Sequence, residues 1–209
     1  MIDNIQVLAH SAVRIESGKT LYFDPYLIEN DFNDADVIFL THDHYDHFSP
    51  EDIRRVMKPD AVLVLPERCR AAVLAAGFSA SQLLPVRAGE HYTVKGIPFT
   101  AVPAYNIGKP FHPRSNGWVG YVSELDGLRV YVSGDTDDTP EARAVSCDAA
   151  FLPVGGTYTM TAAEAAALAN ALHPQIAVPT HYGSIVGTMT DGDDFAAQLA
   201  PDIRCVKLI

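Results

Sequence analysis

The chain has 209 residues, of which 48% are hydrophobic and 20% charged, the size and composition of one compact domain with a substantial core. A formal net charge of -11 disfavours a general nucleic-acid binder, because phosphate backbones are repelled unless a local basic patch intervenes. Cys69, Cys147 and Cys205 are odd in number and show no Cys-x-x-Cys spacing, so neither a disulfide framework nor a thiolate zinc knuckle is indicated and a reducing cytoplasm is the simplest setting.

Met1-Ile2-Asp3-Asn4-Ile5 carries no basic segment followed by an apolar one, and no stretch approaches the roughly 18 apolar residues of a membrane span. A soluble cytoplasmic protein without membrane contact is expected, with a homo-oligomer left open. Val7 to Glu16 and Thr20 to Asp24 are β-prone runs around Ser17-Gly18-Lys19 and predict a hairpin ending at Asp24-Pro25. Asp36 to Leu40 reads as a buried strand entering a histidine-rich loop. Ser49-Pro50-Glu51-Asp52 then opens a helix, with serine as N-cap and proline in the first turn. Ala61 to Leu65 predicts a strand, Glu67 to Ala76 a helix stopped by Gly77, and His91 to Val102 two strands around Gly96. From Asn106 to Gly117 the breakers Gly108, Pro110, Pro113 and Gly117 predict a loop over the surface or a cleft.

The second half repeats this grammar without repeating the residues. Trp118 to Leu125 and Leu128 to Ser133 flank Asp126-Gly127, a strong hairpin signal, and Cys147 to Leu152 resembles the strand at Asp36 to Leu40. After Gly155-Gly156, Thr161-Ala162-Ala163-Glu164 gives a capping box for an alanine-rich helix to about Leu172. A further strand, Ile176 to Pro179, ends at Thr180-His181-Tyr182-Gly183. Two such halves predict an α/β domain over 1–209 with two packed sheets, outer helices, and a site where the two sets of loops meet.

Thr41-His42-Asp43-His44-Tyr45-Asp46-His47 places three imidazoles and two carboxylates in seven residues just past a buried strand. A solvated polar loop accounts poorly for that density. Neutral imidazole and ionised carboxylate suit zinc, iron and manganese, and His42-x-His44 lets two rings converge on one ion while Asp46-His47 turns toward another.

This run resembles the His-x-His-x-Asp-His signature of the metallo-β-lactamase superfamily. Asp24-Pro25, Ser133-Gly134-Asp135-Thr136 and Pro179-Thr180-His181-Tyr182-Gly183 resemble its other landmarks, in the right order and over most of the chain. The resemblance is strongest to the lactonase-like and phosphodiesterase-like metal-dependent hydrolases. It implies a four-layer αβ/βα sandwich of two mixed sheets. It also implies one or two ions, zinc first, with manganese or iron as alternatives. His42 and His44 would bind the first ion, Asp46, His47 and His181 the second, and Asp135 would bridge them, its two oxygens serving cations about 3.5 to 4 Å apart. One departure stands out. The family has a further histidine, commonly shortly after Pro-Ala, yet Pro103-Ala104-Tyr105 is followed by Asn106. Three readings remain: Asn106 as a weak ligand of a loosely held ion, a preference for manganese or iron, or recruitment of His112 from the following loop.

His10, beside Ala9 and Ser11, is weighted toward a hydrogen-bonded structural histidine over a supporting role at the metals. His91 and His173 read as structural or exposed. Lys109, His112 and Arg114 form a basic cluster in an acidic protein, with Lys109 and Arg114 as candidate holders of a substrate carboxylate or phosphate. The expected activity is metal-dependent hydrolysis of an ester, lactone or phosphodiester bond in a small molecule, an anionic one if the basic cluster holds it, by metal-activated water. Asp46 would orient the water or accept its proton, and His112 or Tyr158 would donate to the leaving group. The rival readings are an iron-dependent redox enzyme and a non-catalytic metal-binding module.

Overall fold

A computed structural model describes residues 4–208. Met1–Asp3, on which the expectation of no export signal partly rests, and Ile209 at the domain end lie outside the described residues. One sheet contains, in chain order, β1 (Ile5–Ala9), β2 (Ala12–Ser17), β3 (Lys19–Phe23), β4 (Ala35–Phe39), β5 (Met57–Pro66) and β6 (Leu83–Val86). Strands β1 to β3 are antiparallel, and β3 to β6 run parallel. The second sheet begins with antiparallel β7 (His91–Val94), β8 (Ile97–Pro103), β9 (Val119–Leu125) and β10 (Leu128–Val132). It continues with parallel β11 (Ala149–Pro153), β12 (Ile176–Thr180) and β13 (Arg204–Cys205). Both halves thus lead from antiparallel strands into a parallel set whose C-terminal ends carry the motif loops.

A period of two along the strands builds the layers. Leu21, Phe23, Val37 and Phe39 point between the sheets with Phe151 and Val178. Tyr22 and Ile38 point outward with Ile53 and Val56 of α1 (Pro50–Val56) and Val73 of α2 (Arg70–Ala75). On the opposite side Ala150, Leu152 and Ala177 pack beneath α4 (Ala162–Leu172) and α5 (Asp191–Ala196), with Ala142 of α3 (Pro140–Arg143) nearby. Strands buried on both faces are continuously apolar, as the β4 and β11 sequences are. Phe39 sits at the centre, its ring stacked on Phe23 at 4.7 Å and edge-on to Phe99 at 5.2 Å. The result is the four-layer sandwich expected, with helices outside two mixed sheets.

The capping box at Thr161 and Glu164 forms, and Ser49 caps α1 as read. Asp126 and Gly127 both take positive φ, 49° and 79°, the geometry a two-residue hairpin needs. The single β run expected from Val7 to Glu16 is instead two strands, because His10 adopts φ 50° and turns the chain without a glycine to signal it. The predicted helix from Glu67 begins as a 3-10 turn, Glu67–Cys69, before α2. The short elements β6, α3, α5 and β13 escaped the sequence reading. All three cysteines are free thiols, and burial pushes the Cys147 thiol up to about 12. Among the described residues no helix is long and apolar enough to cross a membrane.

Candidate metal centre

The centre forms where the loop after β4 meets the loops after β8, β10, β11 and β12. Asp24, just past β3, anchors the first loop: its carboxylate accepts from the Thr41 N–H at 2.8 Å, the Thr41 hydroxyl at 2.6 Å and His47 Nδ1 at 2.7 Å. The Thr41 hydroxyl spends its proton on Asp24, so it accepts from His42 Nδ1 at 3.0 Å. With Nδ1 donating in His42 and in His47, each ring turns its Nε2 inward, the atom a metal would take. Gly134, at φ 62°, precedes Asp135, and a Cβ there would meet Thr41 Cβ at 2.8 Å. Only glycine lets the Asp135 loop approach this closely.

His42 Nε2 lies 3.0 Å from His44 Nδ1, and His112 joins them, the three offering ligand atoms within 4.8 Å of one another. Asn106, the residue at the expected histidine position, does not face this group. Its Oδ1 accepts from the His112 N–H at 3.1 Å and from His112 Nδ1 at 2.8 Å, while its Nδ2 donates to Asp137 at 3.1 Å. The chain makes an excursion from 106 to 112 and returns a histidine to the place where the motif seemed to lack one. Asn106 holds that histidine from behind.

Asp135, in the loop after β10, lies between the two halves of the centre: Oδ1 is 3.3 Å from His47 Nε2, and Oδ2 is 3.3 Å from His112 Nε2 and 3.1 Å from His181 Nε2. Asp46 Oδ2 lies 3.5 Å from His181 Nε2, 3.7 Å from His47 Nε2 and 3.4 Å from His10 Nε2. His10 is therefore part of the constellation, a placement its sequence context undervalued. The turn that hides it from strand periodicity also delivers it, for its carbonyl accepts from the His181 N–H at 3.0 Å and its Nδ1 bonds Ser184 Oγ at 3.1 Å. Gly155 is tied to the same corner: a Cβ there would overlap the His181 carbonyl.

The electrostatics are those of a ligand cage. Burial pulls His42 well below the ordinary imidazole value, and neighbouring His47 adds to this. Burial is also the largest single effect on His47 and disfavours its charge, but Asp135 and Asp24 outweigh it and hold that ring well above the ordinary value. His181 is likewise penalised by burial yet raised to about 9 by Asp135 and Asp46. Asp135 is buried, which opposes ionisation, yet the surrounding histidines keep it well below the carboxylate range. Buried polar atoms normally find partners. Here His10 Nε2, His47 Nε2, His112 Nε2, His181 Nε2 and Asp135 Oδ1 all lack hydrogen-bond partners. Five orphaned ligand atoms turned toward one another fit a bound cation, and imidazole with carboxylate is a donor set for zinc, manganese or iron.

The other sequence-selected residues are dispersed. Tyr158 lies at the mouth of the pocket over this cluster, and its carbonyl is 3.2 Å from His112 Nδ1. Lys109 and Arg114 do not line that pocket. The Lys109 ammonium donates to Asp137 at 2.5 Å and to the Thr159 carbonyl at 2.7 Å, while Arg114 bonds Glu141 and covers the Tyr105 ring. His91 is exposed and bonds Thr100, and His173 caps α4 and pairs with Asp202.

The family model described as the beta-lactamase superfamily domain matches residues 4–181, and the chain belongs to that superfamily. A UPF0173 metal-dependent hydrolase of Thermus thermophilus is 32% identical over 204 residues, spanning 92% of this chain and 89% of its own. One from Pyrococcus abyssi is 28% identical over 217 residues, spanning 98% and 95%. The crystal structure of a Parabacteroides distasonis protein assigned to the metal-dependent hydrolases superposes with a TM-score of 0.80 at 31% identity, covering 96% of this chain and 91% of that one. The present chain is accordingly a metal-dependent hydrolase of the metallo-β-lactamase fold.

Proposed function

We propose that the centre holds two divalent ions, zinc by preference, and cleaves an ester, lactone or phosphodiester bond of a small molecule. The observation that carries this reading is the gathering of four orphaned imidazole Nε2 atoms and the orphaned Asp135 Oδ1 in one centre. His42, His44 and His112 would hold the first ion, His47, Asp46 and His181 the second, with Asp135 between. Bound there, the ions supply a hydroxide nucleophile at neutral pH and a Lewis acid for the developing oxyanion.

The chain's own groups do the rest. Asp46 keeps its carboxylate ionised among His10, His47 and His181, where it can accept the proton of the attacking water. His112 has one ring nitrogen on Asn106 and the other at the cluster, so a role as ligand replaces the earlier alternative of proton donor. Tyr158, whose side chain reaches the pocket mouth, is then the candidate donor to the leaving group. Elemental analysis of zinc-loaded protein beside His44→Ala and Asp135→Ala tests the reading. Close to two ions per chain are expected, with loss in the variants and turnover of p-nitrophenyl esters or lactones by the parent alone; a parent chain that takes up no metal sinks it.

A further inference from the structure

The loops that assemble the cluster also build a mouth above it. The pocket there has a volume of about 240 Å³, and its walls beyond the candidate ligands are Tyr45, Phe111, Tyr158 and Ile185. All four are among the large hydrophobic side chains left exposed to solvent. They arrive on four separate loops, after β4, β8, β11 and β12, so no amphipathic pattern of one element explains their shared exposure. Phe111 and Tyr158 meet edge to face at 4.8 Å and close one side. Exposed apolar groups gathered around a concave polar floor are the signature of a ligand site.

What the mouth lacks is as specific. Among the described residues no lysine or arginine lines it, and the nearby cations are engaged elsewhere, Lys109 with Asp137 and Thr159, Arg114 with Glu141. An ionised group on the substrate beyond the reacting centre would lose water against largely apolar walls that offer two phenols and no charged partner. The overall charge of -11 adds a repulsive field for anions.

We infer that the substrate presents a short, uncharged hydrophobic arm to Tyr45, Phe111, Tyr158 and Ile185, which selects a carboxylic ester or lactone over a phosphodiester; the inference rests on the metal-hydrolase reading above. In the reaction a water oxygen bonds to the acyl carbon, and the acyl carbon–oxygen bond breaks. Its electron pair leaves on the alkoxide oxygen, which takes up a proton. Water is the only co-reactant.

The test is calorimetric titration of the zinc-loaded 209-residue chain with straight-chain alkyl hydroxamic acids of increasing length. The head group engages the ions and the tail reads the walls. Kd should tighten by about fourfold per methylene over the first few carbons, then level off once the tail outgrows the pocket, and a tail ending in carboxylate should lose that gain. Phe111→Ala and Ile185→Ala, at exposed positions where folding is expected to survive, should flatten the dependence on tail length. Affinity independent of tail length, or tighter binding of the carboxylate-ended tail, overturns the inference while binding of acetohydroxamate leaves the metal reading standing. Failure of every hydroxamate to bind, with no metal found by elemental analysis, overturns both.

Discussion

Replacing Asn106 by leucine separates the two roles this residue can have at the centre. Its Oδ1 accepts two bonds from His112, at 2.8 and 3.1 Å, and its Nδ2 donates to Asp137 at 3.1 Å, all in a buried setting. Leucine keeps roughly the volume and removes every one of them. His112 then loses the acceptor that fixes its tautomer and ring orientation, which typically costs 10–100-fold in metal affinity, or about 1.4 to 2.7 kcal/mol. The same loss of three bonds should lower the stability of the metal-free fold by about 1.5–4.5 kcal/mol, since each net hydrogen bond contributes about 0.5–1.5 kcal/mol. Competition with a chromophoric chelator resolves the affinities of the two ions. One ion should weaken by that factor in Asn106→Leu, and the same ion should be lost in His112→Ala. If Asn106→Leu abolishes one ion while His112→Ala retains both, the amide itself is the ligand and the reasoning fails.

Trp118 is the one tryptophan of the chain, and its ring lies 5.0, 4.8 and 5.5 Å from those of His42, His44 and His112. Cobalt(II) titration should quench its fluorescence in step with occupancy of that side of the centre, and unaltered emission at saturating metal would argue against an ion there. Chelation should lower Tm by about 5–10 °C for each ion present at 100 times its Kd, from about 2.7 kcal/mol of linkage and roughly 2–4 °C per kcal/mol at this chain length; differential scanning calorimetry with and without chelator measures it. Gly155→Ala should shift the His181 corner, since its Cβ overlaps the His181 carbonyl. Metal counting should find the ion on the His181 side reduced while circular dichroism stays folded. Asp36 carries a pH-dependent contribution: burial opposes its ionisation, but Lys58 at 2.8 Å and the Thr20 N–H at 2.9 Å outweigh this and lower its pKa. Because the folded value is depressed, the stabilisation is present above the ordinary carboxylate range and lost as pH falls through the lowered pKa. The Tm gap between parent and Asp36→Asn should be open at pH 7 and should narrow progressively as the pH is taken below the ordinary carboxylate range.

Much was legible in the sequence because it depends on neighbours along the chain. The apolar runs of β4 and β11, the Asp126-Gly127 hairpin, the caps at Ser49 and Thr161 and the ligand-rich loop at His42–His47 are all decided within a few residues. Their order was enough to predict two mixed sheets with the motif loops on a common edge. Tertiary structure decided the rest. His10 reaches Asp46 through a left-handed turn that no glycine or proline marks, held by a backbone bond to His181, 171 positions later in the chain. Asn106 stands where a histidine is expected, and only the folded 106–112 excursion shows that His112 takes the place beside His42 and His44. Lys109 is a free cation in the sequence but is tied to Asp137, which the β10 loop brings beside it. Strand, turn and cap follow from local sterics and periodicity; which buried nitrogen is left facing a carboxylate follows from contacts between segments that the sequence places far apart.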